Sequence, residues 1–130
     1  IGVDGEAHRG AVLTVTDNLG KGAAGQAVQR PVRQGRQVLI FPEGTRRPPG
    51  APPAYRPGAA ALYLKLGVPC VPLALNSGLY WPRRKFMRYP GVIVFQFLPS
   101  IPPGLSRPEF TKTLEAALET TTAELLSAAR

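Results

Sequence analysis

The order of apolar segments predicts an α/β fold in which helices lie in layers on a mixed β-sheet. A continuous apolar run of strand length, Gln37–Phe41, is typical of a parallel strand covered on both faces. Near the other end of the chain, a capping-box sequence at Ser106–Glu109 precedes a stretch with helical spacing. Between these two, the pattern indicates one helix and two further strands. The order strand, helix, strand, strand, helix therefore predicts a layered αβ domain.

The first 35 residues have the least regular pattern. Ala11–Thr16 has the β-branched content of a strand. Residues 23–34 have a helical composition, although Pro31 argues against a continuous helix. We expect a single domain, or part of one, over residues 1–130, with 1–35 poorly defined.

The centre of the chain contains one predicted helix and two predicted strands. The helix is expected over Ala59–Leu66, with Pro57 in its first turn and Gly67 as a left-handed C-cap. Strands are expected over Val68–Leu75, whose prolines favour an edge or a bulge, and over Gly91–Leu98. The remaining connections are predicted to be irregular: 48–58, 76–91 and 99–105.

The C-terminal segment is predicted to be an amphipathic helix. The Ser106 hydroxyl can accept a hydrogen bond from the backbone N–H of Glu109, and the Glu109 carboxylate can accept one from the backbone N–H of Ser106. Apolar or small residues then recur on one face, which we expect to pack on the sheet: Phe110, Leu114, Ala117, Leu118, Thr121 and Leu125.

Composition excludes several classes of protein. The 130 residues are 44% hydrophobic and 18% charged, which excludes a charge-rich disordered chain. Cys70 is the only cysteine and His8 the only histidine, so neither an internal disulfide nor a Cys/His zinc site is expected. Cys70 alternates with valines in an apolar run and is predicted to be a buried thiol, not a nucleophile.

The chain is strongly basic, with 16 Lys and Arg against 8 Asp and Glu and a net charge of +8. Such a charge suits either a nucleic acid or an anionic lipid surface. No recognised nucleic-acid-binding motif is present, so we do not expect a nucleic-acid partner.

The segment Phe41–Arg46 reads Phe-Pro-Glu-Gly-Thr-Arg and has the features of an anion-binding turn. Gly44 permits close approach of the backbone to a ligand, and amides there with the Thr45 hydroxyl can hold an anion. The Arg46 guanidinium matches a phosphate, and Glu43 can orient Arg46 or accept a substrate hydroxyl. From the residues alone, a surface turn with a solvated arginine is an equal alternative.

Three segments in order resemble the glycerophospholipid acyltransferases. Phe41–Arg46 resembles the signature of that family, Tyr55–Gly58 resembles its aromatic, basic and glycine element, and Val68–Leu73 resembles its Val-Pro-x-x-Pro element. The stretch 75–83 is similar to bacterial members. The resemblance covers roughly residues 36–125.

The resemblance implies transfer of an acyl group from acyl-CoA or acyl-carrier protein to the hydroxyl of a lysophospholipid such as 1-acyl-glycerol-3-phosphate. The acyl donor is then a co-substrate, and no bound cofactor or metal is expected. The family's layered αβ domain lies at a membrane surface, which implies a peripheral location on the cytoplasmic face. The region 36–130 would form the acceptor-binding part.

The resemblance also assigns residues to the site. The acceptor would be bound by Glu43, Gly44, Thr45 and Arg46, with Arg46 on the glycerol phosphate and Arg56 as a weaker second candidate. The wall of the site would include Val68, Pro69 and Pro72.

The catalytic element of the family, His followed after four residues by Asp, is absent from the 130 residues. That histidine is the general base, and the aspartate fixes its tautomer. Here the corresponding position after His8 is Leu13, and the next aspartate is Asp17. We therefore expect that the chain begins after the catalytic pair, that it carries no catalytic residue, and that His8 is a surface residue.

The segment Tyr80–Phe86 interleaves aromatic and basic residues. Such a loop suits an anionic membrane interface, with contacts from Trp81, Arg83, Arg84 and Lys85. The alternative is a basic loop whose aromatic rings pack on the core. A second possible function follows: a non-catalytic module that binds phospholipid or a membrane surface.

Overall fold

The computed structural model describes residues 37–43, 50–81 and 85–129, and these contain three helices and two strands. The predicted elements at 11–16 and 23–34 lie outside the described residues. In chain order the elements are α1 (Pro57–Leu66), β1 (Leu73–Leu75), α2 (Ser77–Tyr80), β2 (Phe95–Phe97) and α3 (Arg107–Ala128).

The two strands form an antiparallel ribbon. Leu73 of β1 lies opposite Phe97 of β2. Beyond the strands, Cys70 and Ile101 exchange two backbone hydrogen bonds, with N–O distances of 2.9 and 2.7 Å. The first strand is shorter than the predicted Val68–Leu75 because the prolines in that run have no N–H to donate to a neighbouring strand.

The prediction of a doubly covered parallel strand over Gln37–Phe41 was wrong. No residue of this run is in a strand, and no described strand pairs with it. Ile40 is buried, whereas Leu39 and Phe41 on either side of it are exposed. An apolar run alone does not decide pairing, because a strand also requires a hydrogen-bonding neighbour.

The predicted strand Gly91–Leu98 is reduced to β2 because a side chain replaces the first part of its backbone ladder. Asn76 is only 2% exposed. Its Oδ1 accepts from the Val94 N–H at 2.9 Å, and its Nδ2 donates to the Val92 carbonyl at 3.3 Å. A Cβ on Gly91 would lie 1.8 Å from a ring carbon of Tyr80, so only glycine fits against α2.

Local capping signals were predicted correctly. Helix α1 begins at Pro57, and Gly67 caps it at φ +61° with its N–H bonded to the Tyr63 carbonyl at 3.1 Å. At the start of α3, Ser106 and Glu109 form the complete capping box. Hydrogen bonds from the Ser106 hydroxyl and amide hold the pKa of Glu109 below its usual value.

The core is centred on two stacked rings from α1 and α3. The centroids of Tyr63 and Phe110 are 3.9 Å apart, and the ring planes differ by 10°. The Tyr63 hydroxyl donates to the Pro102 carbonyl and accepts from the Leu105 N–H. Around this pair lie further buried side chains: Ala60, Cys70, Ile101 and Leu114. Helix α3 thus packs on both α1 and β1, which confirms the layered αβ class, with an antiparallel ribbon as its described sheet.

Replacing Phe110 by alanine is expected to lower the free energy of unfolding by about 3–5 kcal/mol, because the ring is fully buried and its removal leaves a cavity. Urea unfolding measures this change. Phe86→Ala is the matched control, since Phe86 is fully exposed and the same substitution there should cost less than about 0.5 kcal/mol. Equal destabilisation by the two variants would contradict the described core.

Cys70 is buried, and its burial raises the pKa of the thiol to about 11 from its ordinary value near 9.0. Because only the thiolate is nucleophilic, a maleimide or disulfide reagent at pH 8 should label the folded chain at least about a hundredfold more slowly than the urea-unfolded chain. Because the pKa of the Cys70 thiol is higher in the folded chain than in the unfolded chain, the thiol contributes to stability below pH 9. That contribution is lost as the pH rises towards 11. Rapid labelling of the folded chain would contradict the buried position.

Candidate functional site

The turn at Pro42–Glu43 is anchored to the segment just before α1 by two hydrogen bonds. The Arg56 N–H donates to the Pro42 carbonyl at 2.8 Å, and the Ala54 N–H donates to Glu43 Oε1 at 2.8 Å. These bonds hold together the two ends of the intervening segment 44–53. One oxygen of Glu43 therefore has a structural role in fixing the turn.

The remaining members of the predicted acceptor turn, Gly44, Thr45 and Arg46, lie outside the described residues, as does His8. The structure nevertheless brings Arg56 beside the turn, because its amide is bound to Pro42. The Arg56 side chain is exposed, at the residue immediately before α1. The backbone of Arg56 is thus fixed at the turn, and its role as a second cation there stays a prediction.

Tyr55 connects the anchored segment to α3 and was not predicted as a site residue. Its hydroxyl donates to Glu119 Oε1 at 2.9 Å, across 64 residues of sequence. Burial, this hydrogen bond and the negative charges of Glu119, Glu43 and Glu115 all raise the pKa of the Tyr55 phenol. The phenol is therefore a permanent donor at neutral pH. The aromatic, basic and glycine element Tyr55–Gly58 was visible in the sequence, but the hydrogen-bond partner of Tyr55 was not.

A small apolar cavity of about 50 Å³ lies behind the turn. Pro72, one of the three predicted wall residues, lines it, while Val68 and Pro69 are half-buried outside the lining. The other lining residues come from the turn, α1, the ribbon and α3: Ile40, Phe41, Pro42, Ala59, Cys70, Leu73, Leu75, Leu114 and Leu118. The turn therefore has apolar surface directly against it.

The segment Tyr80–Phe86 belongs to a loop over residues 80–89, called here the basic aromatic loop. A hydrogen bond from the Tyr89 N–H to the Tyr80 carbonyl, at 2.9 Å, closes it. The guanidinium carbon of Arg88 lies 4.2 Å from the centroid of the Trp81 ring, which is 44% exposed. Next to this pair, Lys85, Phe86 and Met87 are exposed. Arg83 and Arg84 lie outside the described residues. Trp81, Phe86 and Tyr89 are thus at the surface, whereas Tyr80 is half-buried with its ring against Gly91.

Among residues 37–43, 50–81 and 85–129, no group of three or more His, Cys, Asp or Glu side chains could hold a metal ion. Within the same ranges, every helix is too short or too polar to cross a bilayer.

Comparisons with known proteins agree on one family. A family profile described as Acyltransferase matches residues 9–76, which include the whole of Phe41–Arg46. The 1-acyl-sn-glycerol-3-phosphate acyltransferase of Pseudomonas aeruginosa is 45% identical over 62 residues, covering 48% of this chain and 24% of that protein. Human 1-acyl-sn-glycerol-3-phosphate acyltransferase beta is 34% identical over 115 residues, covering 84% of this chain and 38% of that protein.

A solved structure has the same fold. The crystal structure of the 1-acyl-sn-glycerophosphate acyltransferase from Thermotoga maritima superposes with a TM-score of 0.70 at 23% identity, over 78% of this chain and 45% of that one. The chain spans between about a quarter and a half of the length of the proteins it matches. Because the family profile covers more than half of its residues, the chain belongs to the Acyltransferase family.

Proposed function

We propose that the chain is the acceptor-binding part of a 1-acyl-sn-glycerol-3-phosphate acyltransferase. The observation that carries this proposal is the family match over residues 9–76, which includes the Phe41–Arg46 turn. Both curated relatives bear the name of that activity. The reaction transfers a fatty acyl group from acyl-CoA or acyl-carrier protein to the free hydroxyl of the lysophospholipid.

The anchored turn supports this assignment of the acceptor site. In the proposal, Arg46 binds the acceptor phosphate, and the Gly44 and Thr45 amides with the Thr45 hydroxyl complete the anion site. Arg56 supplies a second positive charge, since its backbone is bound to the turn. The apolar cavity behind Pro42 and Pro72 forms the wall. A lipid phosphate has this combination of an anionic group and an adjoining apolar part.

The chemistry of the transfer defines what this chain contributes. The acceptor oxygen attacks the carbonyl carbon of the thioester, a C–O bond forms, the C–S bond breaks, and the proton of the hydroxyl passes through a base to the leaving thiolate. A base that removes this proton contributes about 10²- to 10⁴-fold in rate. His8 has no aspartate at the required spacing. We therefore assign binding of the acceptor, and not proton transfer, to these 130 residues.

A non-catalytic phospholipid-binding module is the second candidate, since an anion-binding turn with apolar surface against it is sufficient for binding without transfer. Both candidates predict that the chain binds lysophosphatidic acid. They differ when the residues are joined to a segment that carries the family's His and Asp. Acyl transfer in that context supports the enzyme, and binding without transfer supports the module.

Arg46→Ala is expected to weaken binding of a short-chain lysophosphatidic acid by about 10- to 150-fold, because a hydrogen bond to a charged group contributes roughly 1.5–3 kcal/mol. Arg46→Lys should restore only part of the affinity, since an ammonium lacks the planar fork. Isothermal titration below the micelle concentration measures both constants.

The matched control for this titration is Lys65→Ala, which removes an exposed cation from the last turn of α1, at the opposite end of that helix from Arg56. It should leave the affinity within about twofold. The unmodified chain should show no acyl transfer from acyl-CoA in the same preparation. Unchanged binding by Arg46→Ala, or turnover by the unmodified chain, would overturn the respective assignment.

We also propose that the basic aromatic loop contacts an anionic membrane surface on the cytoplasmic side. The exposure of Phe86, Met87 and Lys85 supports the proposal, as does the Trp81–Arg88 pair at the surface. Amphipathic rings favour the depth of the headgroups, and cations favour anionic lipid. Arg83 and Arg84 add two charges to the same loop.

Changing Arg83, Arg84 and Lys85 together to alanine is expected to weaken binding to anionic vesicles by roughly 3 kcal/mol at low salt, at about 1 kcal/mol for each cation. The loss should shrink as salt screens the charges. Vesicle co-sedimentation at two ionic strengths measures both effects.

Two controls test the location of the contact. Lys112→Ala removes an exposed cation from α3 and should affect binding much less than the loop variant. Trp81→Ala should weaken binding to neutral and anionic vesicles alike, because its contribution is apolar and interfacial. Equal binding of the loop variant and the unmodified chain would exclude this loop as the contact.

A further inference from the structure

We infer that Tyr55 and Glu119 form a positioning pair, in which α3 fixes the position of the Pro42–Glu43 turn, the described part of the proposed acceptor site, through the Tyr55–Glu119 hydrogen bond. The inference rests on the proposed function only in naming the turn as the acceptor site. It adds a role for two residues that lie outside the turn.

The first step is the position of Tyr55 in the chain. The residue before it, Ala54, donates its N–H to Glu43 Oε1, and the residue after it, Arg56, donates to the Pro42 carbonyl. Tyr55 is therefore the residue between two hydrogen bonds that hold the turn. Any shift of its backbone changes both donor–acceptor distances.

The second step is the tether of the Tyr55 side chain. Its ring packs against the core cluster, and its hydroxyl donates to Glu119 Oε1 at 2.9 Å. Glu119 lies in the middle of α3, whose first half is fixed in the core by Phe110 and Leu114. The phenol thus joins the turn segment to a rigid element.

The third step is the electrostatic arrangement. The charges of Glu43 and Glu115 act on the Tyr55 phenol in addition to that of Glu119. A phenolate at this position would be repelled by all three carboxylates, so the hydroxyl stays protonated and donates to Glu119. Tyr55 is therefore always the donor and Glu119 the acceptor. A hydrogen bond to a carboxylate belongs to the stronger, charge-assisted class.

Amide hydrogen exchange of the full 130-residue chain tests this role directly. Tyr55→Phe keeps the ring and removes only the donor. The Ala54 and Arg56 amides should then exchange about 10- to 100-fold faster, because a hydrogen bond to a charged group that restrains their local opening is lost. The amides of Cys70 and Ile101, which bond to each other in the core ribbon, should keep their rates.

Variants on α3 separate positioning from general destabilisation. Glu119→Leu should reproduce the acceleration, whereas Glu119→Gln, which retains an acceptor oxygen, should give a smaller one. Glu115→Gln is the matched control: it removes the same charge from the same helix and leaves the 2.9 Å bond in place. It should leave the Ala54 and Arg56 amides unchanged. If Tyr55→Phe does not fold, the Glu119 variants decide the same comparison.

Two results would overturn the positioning pair: unchanged exchange at Ala54 and Arg56 in the variants, or equal acceleration at Cys70 and Ile101. Titration with lysophosphatidic acid separates this outcome from failure of the proposed function. If the unmodified chain binds the lipid, Tyr55→Phe should raise its Kd by up to the factor seen in exchange. If the unmodified chain does not bind it, the acceptor assignment fails, and the exchange rates still decide the role of Tyr55.

Discussion

The contact between Tyr63 and Phe110 is the constraint on which the described fold depends. The rings of α1 and α3 stack at 3.9 Å, and the Tyr63 hydroxyl bonds to both Pro102 and Leu105 in the connection before α3. One side chain thus fixes the two longer helices and the segment between β2 and α3. Because α1 follows directly from Tyr55 and Arg56, the location of the candidate site is set by the same contact.

The parts of the fold that the sequence predicts are those whose physical cause is local. Gly67 and the Ser106–Glu109 pair satisfy the ends of their own helices, so spacing within a few residues is sufficient to recognise them. The strands were predicted too long or in the wrong place because pairing is a long-range property. Asn76 illustrates the difficulty, since its amide replaces backbone bonds to residues 16 and 18 positions away.

The candidate site divides in the same way. The Phe41–Arg46 motif and two further segments in order identified the family, and the family profile includes all three. The anchoring of Glu43 to Ala54 and the bond from Tyr55 to Glu119 were not predictable, because each joins residues that are distant in sequence. Glu43 shows that a motif residue can anchor its turn to the backbone of another segment.

Strand β2 has a consequence for handling the protein. Its three residues are exposed on both faces, with Phe95 and Phe97 more than 60% accessible, and in the described part of the chain it pairs only with β1. An apolar strand with an open edge is a template for pairing with another polypeptide. We therefore expect concentrated solutions of this chain to favour edge-to-edge self-association through β2, and a charged residue in place of Gln96, between the two phenylalanines, to oppose it.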